Sequence, residues 1–198
     1  MNQEQVLEQG RKCGALLEGH FHLSSGRHSD RYFQCALLLS DPLRAEALAR
    51  AAALRIEAAV DVVVGPALGG VIWAHEVARA LGVRALFTER VEGLAALRRG
   101  FELEPRERVL VAEDVVTTGG STREVIELVR RAEAEVVGVT AIVNRSGCSN
   151  PFEDLKLPFY ALAEFEVESW EASACPLCAS NKGGPAVKPG SRSVGAQG

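Results

Sequence analysis

The spacing of apolar residues along the chain follows two different patterns. Apolar side chains recur every three or four positions at 41–58, 71–81 and 121–134, and this periodicity predicts amphipathic helices. Short runs that are apolar at nearly every position alternate with these segments. We expect the runs to form strands at 61–66, 84–88, 108–114 and 136–143.

Strands that lack a polar face indicate a sheet that is covered on both sides. Because helices alternate with them along the chain, the pattern predicts an α/β core at 41–174. We expect its sheet to be open, mostly parallel and twisted, with helices on both faces. A separate N-terminal segment, 1–40, precedes the core, and a Gly-, Pro- and Ser-rich tail at 175–198, expected to be flexible, follows it.

One predicted strand ends in a cluster of acidic, hydroxyl and glycine residues. The stretch VLVAEDVVTTGGS places Glu113 and Asp114 at the strand end and Ser121 where a helix cap is expected, before an acidic first turn. Free backbone N–H groups at such a turn favour an anion such as phosphate, whereas the carboxylates suit sugar hydroxyls or a Mg²⁺-bound water. A phosphorylated ribose would offer its phosphate to the backbone N–H groups and its hydroxyls to the carboxylates. A plain strand end with a helix cap is the alternative.

Composition narrows the classes of function. The chain has 198 residues, with 22 basic and 26 acidic side chains and a formal net charge of −4, which argues against nucleic acid as a partner. No apolar run approaches the roughly 20 residues that span a bilayer, so no membrane partner is expected. The five cysteines form no disulfide pattern and the first residues do not resemble a signal peptide, so we expect a cytoplasmic protein.

The acidic and glycine-rich stretch resembles a known signature. VLVAEDVVTTGGST is similar to the phosphoribosyl pyrophosphate (PRPP) signature of the type I phosphoribosyltransferases, and LSSGRHSDRYFQCALLL, DVVVGPALGG and VNRSG resemble the orotate phosphoribosyltransferases among them. The resemblance implies the type I phosphoribosyltransferase fold, with a helix and a small hood in the segment 1–40. It also implies transfer of the phosphoribosyl group from PRPP to orotate in pyrimidine biosynthesis. A homodimer and Mg²⁺, bound mainly through PRPP, are implied as well.

The resemblance also implies roles for single residues. Glu113 and Asp114 would hold the ribose hydroxyls, and GPALGG at 65–70 would face the pyrophosphate. The loop that would hold the 5′-phosphate comprises Val115, Val116, Thr117, Thr118, Gly119, Gly120 and Ser121. The residues implied to contact orotate are Thr117, Arg145, Tyr32 and Phe33. Arg145 would pair with the carboxylate of orotate, which suits a planar guanidinium.

This chain lacks lysines that are usual in the family. Gly69 takes the place of one in the pyrophosphate loop and Ser24 that of one near the hood. The family's mobile catalytic loop, which reaches across the dimer interface, corresponds to TERVEGLAALRRGFEL, a stretch with no lysine or histidine. Its arginines, Arg90, Arg98 and Arg99, are the candidate catalytic residues. They would act as electrostatic clamps, because a guanidinium stays charged and donates no proton.

Two other functions stay open at this point. The PRPP signature does not specify the base, so in the first alternative the acceptor would be another base, such as a purine. In the second, the protein would be a PRPP-sensing regulator that binds nucleic acid. The negative net charge and the lack of a helix-turn-helix pattern before the core argue against the regulator.

The sequence predicts no metal held by the chain's own side chains. Cys175 and Cys178 have the spacing of half a zinc knuckle, but no second pair lies near them in the sequence. The histidines show no metal-binding spacing with an acid; they are His20, His22, His28 and His75. We therefore expect two free thiols in the tail.

Overall fold

The structure is a computed structural model that describes residues 1–23, 25–180 and 184–188. It forms two compact units. Met1–Glu8 and Leu39–Glu166 make up the first unit, and Gln9–Leu38 belongs with the chain from Val167 onward in the second. This grouping differs from the predicted division at 1–40, 41–174 and 175–198, because residues from the two ends of the chain pair with each other.

The described residues contain six α-helices and nine strands. The helices are α1 (Gln3–Lys12), α2 (Cys35–Leu39), α3 (Pro42–Ala53), α4 (Gly69–Leu81), α5 (Gly120–Arg131) and α6 (Pro176–Ser180). The strands are β1 (Leu16–His22), β2 (His28–Phe33), β3 (Val62–Pro66), β4 (Arg84–Val91), β5 (Leu94–Leu97), β6 (Arg108–Val116), β7 (Glu135–Asn144), β8 (Phe159–Glu164) and β9 (Ser169–Trp170). Two short 3₁₀ helices lie at Glu153–Leu155 and Ala172–Ala174. Each of these helices is too short or too polar to cross a lipid bilayer.

The first unit is built on a six-stranded sheet in the order β5-β4-β3-β6-β7-β8. All neighbours are parallel except β5, which pairs antiparallel to β4 at the edge. Val62, Val63 and Val64 of β3 are all fully buried, so both faces of this central strand are covered. The α/β class with an open, mostly parallel sheet is confirmed.

The predicted helices and strands are present, but several ends differ. The helix α3 begins as expected, because Asp41 accepts hydrogen bonds from the backbone N–H groups of Leu43 and Arg44. It ends at Ala53, and Leu54 after it is 88% exposed. Periodicity predicted five more helical residues, because an apolar spacing does not show where the chain must turn back toward the sheet.

The stretch expected to be a mobile catalytic loop is largely a β-hairpin. The strand β4 continues to Val91, and β5 returns antiparallel to it with Val91 opposite Leu94. Glu92 and Gly93 form the two-residue turn, and both have positive φ. This backbone conformation matches the twist of a tight hairpin.

The second unit contains an antiparallel sheet in the order β1-β2-β9. His28 lies opposite Trp170, and Ser29 lies opposite Ser169. The hydroxyl of Ser29 also donates to the carbonyl of Glu168 at 2.9 Å. These pairings hold the β1–β2 hairpin to the chain after Val167.

Part of the tail has regular structure. Cys175 is 2% exposed, and the residues after it form α6. The backbone of Val187 exchanges hydrogen bonds with β1, accepting from His22 at 2.9 Å and donating to His20 at 2.8 Å. The remainder of the predicted flexible segment, 181–183 and 189–198, lies outside the described residues, as does Ser24.

Candidate active site

The loops after β3 and β6 meet because these neighbouring strands run parallel and end at the same edge of the sheet. Gly69, the first residue of α4, lies against the side chain of Asp114 near the end of β6. A Cβ atom at Gly69 would stand 2.6 Å from both carboxylate oxygens of Asp114. A lysine at position 69 would therefore require the carboxylate of Asp114 to move.

Two more glycines let the start of α4 pack closely on the sheet. A Cβ atom at Gly65 would lie 2.4 Å from the carbonyl oxygen of Gly70. One at Gly70 would lie 2.8 Å from the carbonyl oxygen of Ala112 in β6. The GPALGG stretch therefore needs glycine for close backbone approach.

The acid pair at the end of β6 is buried. Glu113 is 9% exposed and Asp114 is partly buried. The N–H of Asp114 donates to a carboxyl oxygen of Glu113 at 3.2 Å, and the N–H of Val115 donates to Asp114 at 2.8 Å. Burial raises the pKa of Glu113, and the charge of Asp114 raises it further. Burial is also the main cause of the raised pKa of Asp114. The pair therefore keeps a proton above the usual carboxyl range.

The helix α5 presents its N-terminus beside these acids. It begins at Gly120, with Gly119 as N-cap residue at φ +75° and no side-chain cap. The prediction that Ser121 caps the helix and that an acidic first turn follows is wrong, because the chain enters the helix through the left-handed glycine. The first-turn N–H groups thus receive no capping oxygen from Gly119, and the helix end carries partial positive charge.

A cavity of about 270 Å³ lies between Glu113 and this helix end. Its lining contains Glu113 and the whole predicted phosphate loop, together with three further residues. The full lining is Arg90, Glu113, Val115, Val116, Thr117, Thr118, Gly119, Gly120, Ser121, Thr122 and Glu124. The structure therefore brings the predicted PRPP residues together, while Asp114 faces position 69.

Sequence reasoning missed two polar residues of this cavity. Thr122 is 1% exposed, and its hydroxyl oxygen has no hydrogen-bond partner in the described part of the chain. Glu124 forms an ion pair with Arg90 at 2.9 Å. The run of hydroxyl residues continues one position past Ser121 in the sequence, and that continuation was the available signal for Thr122.

The three candidate arginines lie in different surroundings. Arg90 lines the cavity of its own chain, although its side chain is 54% exposed. Arg99 pairs with Glu89 and lies 6.0 Å from the centre of the Phe87 ring. Arg98 is exposed. The resemblance implied that these arginines act across a dimer interface, whereas the structure places Arg90 in the same cavity as the predicted phosphate loop of its own chain.

Arg145 follows β7 at the same edge of the sheet. Its backbone N–H donates to the carbonyl oxygen of Val116 at 2.7 Å, which connects it to the predicted phosphate loop. It lines a second cavity of about 130 Å³ with Asn144, Gly147, Cys148, Ser149, Glu164 and Glu166. A carboxylate ligand here would meet one guanidinium and also two acidic side chains.

Asn144 shapes the turn that carries Arg145, a role that sequence reasoning missed. This side chain is 3% exposed. Its amide donates to the carbonyl of Cys148 at 2.7 Å and accepts from the N–H of Ser146 at 3.0 Å. In the sequence, the only indication of this role was a polar residue at the end of an apolar strand.

Tyr32 and Phe33 lie on β2 in the second unit. Phe33 is 2% exposed and packs against Gly10, where a Cβ atom would stand 2.8 Å from its ring. Tyr32 is partly buried, with its ring centre 6.0 Å from that of Phe21. Their role beside a base stays a prediction.

Comparison with known proteins identifies close relatives. The sequence model of the phosphoribosyl transferase domain matches residues 37–158. The chain is 53% identical over 195 residues to an orotate phosphoribosyltransferase of Heliobacterium modesticaldum, covering 97% of this chain and 100% of the relative. It is 52% identical to that of Pelotomaculum thermopropionicum, covering 98% and 100%. The crystal structure of orotate phosphoribosyltransferase from Aeropyrum pernix matches with a TM-score of 0.66 and 27% identity, covering 80% of this chain and 93% of that one.

The raised pKa of Glu113 predicts how stability depends on pH. The unfolded chain loses this proton in the usual carboxyl range, whereas the folded protein keeps it to higher pH. The free energy of unfolding should therefore fall as pH rises through that window, by at most about 1.4 kcal/mol per pH unit. Glu113→Gln cannot ionise, so we expect it to be more stable than the wild type at about pH 8 and similar at about pH 4. Urea unfolding across this range measures the difference.

Glu57→Gln is the matched control, because Glu57 is exposed on the surface. This variant removes a carboxyl of the same type and leaves the acid pair unchanged. If Glu113→Gln tracked the wild type at every pH, the acid pair would be ionised in the ligand-free protein and this interpretation of its burial would be wrong.

Proposed function

Because the chain belongs to the orotate phosphoribosyltransferase family, we propose that it transfers the 5-phosphoribosyl group from PRPP to orotate, giving orotidine 5′-monophosphate and pyrophosphate. The observation that carries this proposal is the cavity at the end of β6. It combines a buried carboxyl, which accepts hydrogen bonds, with an uncapped helix end, which donates them. The reaction belongs to pyrimidine biosynthesis.

The two halves of the cavity match the two ends of a phosphorylated ribose. The N–H groups at the start of α5 and the hydroxyls of Thr117, Thr118 and Ser121 would bind the 5′-phosphate. The buried hydroxyl of Thr122 would complete this set. Glu113 would accept hydrogen bonds from ribose hydroxyls, which stabilises its charged form and offsets the burial that raises its pKa.

The acid pair also fits a divalent cation. Both side chains offer oxygen, which Mg²⁺ prefers, and the raised pKa of each carboxyl shows that burial disfavours its charge. We propose that Glu113 and Asp114 hold Mg²⁺ through water while PRPP supplies most of its ligands. The ion would offset charge on the pyrophosphate.

The arginines would stabilise the negative charge of the leaving pyrophosphate. If it departs before the new bond to nitrogen is complete, the ribose is positively charged, and the site must stabilise an anion and exclude water. Arg90 would release Glu124 and bind phosphate oxygens within its own subunit, because it already lines the cavity. Arg98 and Arg99 do not line this cavity, so we propose that they serve the neighbouring subunit of a homodimer.

Arg145 and Thr117 would bind orotate. A guanidinium can pair with the carboxylate of orotate through two parallel hydrogen bonds, and the backbone of Arg145 is already linked to the phosphate loop. Tyr32 is proposed to contact the orotate ring. Phe33 has only 2% of its surface exposed, so its main role would be to support Tyr32 within the second unit.

We also propose that the protein acts in the cytoplasm. All five cysteines are free in the structure, and thiols stay reduced in that compartment.

The substrate assignment predicts turnover of orotate alone. The assay supplies PRPP and Mg²⁺ with orotate, uracil, adenine, hypoxanthine or xanthine in parallel and measures nucleotide formation. Orotate should react because Arg145 recognises its carboxylate. Preferential turnover of a purine would replace the proposal with a purine phosphoribosyltransferase.

Replacement of Arg145 should weaken the binding of orotate and leave the binding of PRPP largely unchanged. We expect Arg145→Ala to raise the KM for orotate about 10- to 100-fold, the effect of losing a charge-assisted hydrogen bond, with a much smaller change for PRPP. Arg145→Lys keeps the charge but loses the planar fork, so its defect should be intermediate. Equal losses for both substrates would remove Arg145 from the orotate site.

The assignment of arginines to subunits can be tested with mixed dimers. Tagged Asp114→Asn chains are mixed with Arg99→Ala or Arg90→Ala chains, and reassortment is verified by mass. If Arg99 serves the neighbouring subunit, one intact site per mixed dimer should restore about a quarter of wild-type activity. Mixing with Arg90→Ala chains should restore no activity. If Arg90 acts within its own subunit, one site of the mixed dimer lacks Asp114 and the other lacks Arg90, so neither site is intact. Restoration with Arg90→Ala would show that Arg90 also acts across the interface.

A further inference from the structure

Four side chains able to bind a metal converge in the second unit. His20 lies on β1 and His28 begins β2. Cys175 precedes α6 and Cys178 lies within it. One nitrogen or sulfur atom from each side chain lies within 4.8 Å of the other three.

The distances between these atoms match those around one tetrahedral zinc ion. With Zn–S bonds of about 2.3 Å and Zn–N bonds of about 2.0 Å, tetrahedral geometry places N and S about 3.5 Å apart and two N atoms about 3.3 Å apart. His20 Nε2 lies 3.5 Å from Cys175 Sγ and 3.6 Å from Cys178 Sγ. His28 Nδ1 lies 3.3 Å from Cys178 Sγ and 2.9 Å from His20 Nε2.

The surroundings of His20 orient it as a ligand. Its other ring nitrogen, Nδ1, lies 2.9 Å from the carbonyl oxygen of Gly184. A carbonyl accepts hydrogen bonds only, so Nδ1 carries the proton and the lone pair of Nε2 points at the cluster. A backbone carbonyl on the second ring nitrogen is the usual support of a metal-bound histidine.

Three of the four side chains in the cluster are buried, and Cys178 is exposed. His20, His28 and Cys175 are 4%, 8% and 2% exposed. Buried polar side chains that face each other with lone pairs are costly unless a proton or cation lies between them. Thiolate and imidazole ligands in a tetrahedral set select zinc rather than Mg²⁺ or Ca²⁺.

We propose that His20, His28, Cys175 and Cys178 bind one zinc ion with a structural role. Four protein ligands fill a tetrahedral shell and leave no position for substrate. The ion would join the β1–β2 hairpin to a segment that is distant in sequence, since His20 and Cys175 are 155 positions apart. It would thus stabilise the second unit.

The first test is the metal content of the full chain. The protein is produced without a histidine tag in zinc-supplemented medium, kept reduced and analysed by mass spectrometry for metals. We expect about one zinc per chain. Exchange for Co²⁺ should give the intense visible absorption of tetrahedral, thiolate-bound cobalt, a readout that needs no variant to fold.

Matched variants identify the ligands. Cys178→Ser and His28→Ala should lower the zinc content at least about tenfold, because each removes a ligand. Cys13→Ser and His75→Ala replace the same residue types outside the cluster and should retain the ion. A strong chelator should lower the thermal midpoint of the wild type but not that of Cys178→Ser.

Several results would overturn the proposal. They are less than about a tenth of a zinc per chain in the wild type, zinc retained by both ligand variants, or an octahedral cobalt spectrum. A Cys175–Cys178 disulfide in protein purified without oxygen would also overturn it. None of these readouts depends on orotate or PRPP, so the zinc site and the proposed reaction can fail separately.

Discussion

Parallel pairing of β3, β6 and β7 is the constraint on which the candidate active site depends. Because these strands run in the same direction in adjacent positions, their carboxyl ends lie at one edge of the sheet. Residues far apart in sequence, such as Gly69 and Asp114, come into contact there. The hydrogen bond from Arg145 to Val116 adds a third strand end to the same edge. The strand pairing thus sets the backbone positions of the site residues, whatever conformations their side chains adopt.

The site combines features that are unfavourable in a ligand-free protein. Glu113 is a buried carboxyl, α5 begins without a side-chain cap, and the hydroxyl of Thr122 is buried without a partner among the described residues. A ligand that offers hydroxyls to the acid and oxygens to the helix end would relieve all three. Such clustering of unsatisfied groups in one cavity is typical of binding sites and is hard to explain as a plain strand end and turn.

The two units differ in the size of their sheets. The first has a six-stranded sheet whose central strand is fully buried. The second has three strands, one of them only the two residues of β9. A small core buries little apolar surface, so a metal that joins distant segments would add stability where packing alone adds little.

The sequence by itself determined the α/β class, the order of its main elements and the contiguous stretch at 115–121 that lines the cavity. These depend on local patterns, namely apolar periodicity and a contiguous motif from Glu113 to Ser121. Only the tertiary structure placed Gly69 against Asp114 and Arg90 on the cavity of its own chain, and showed that the predicted loop is a hairpin. It also brought His20 and His28 to Cys175 and Cys178, which the sequence left as half of a zinc site. Local patterns report the conformation of neighbouring residues, whereas contacts between distant residues are set by strand pairing and chain direction, which no short stretch of sequence contains.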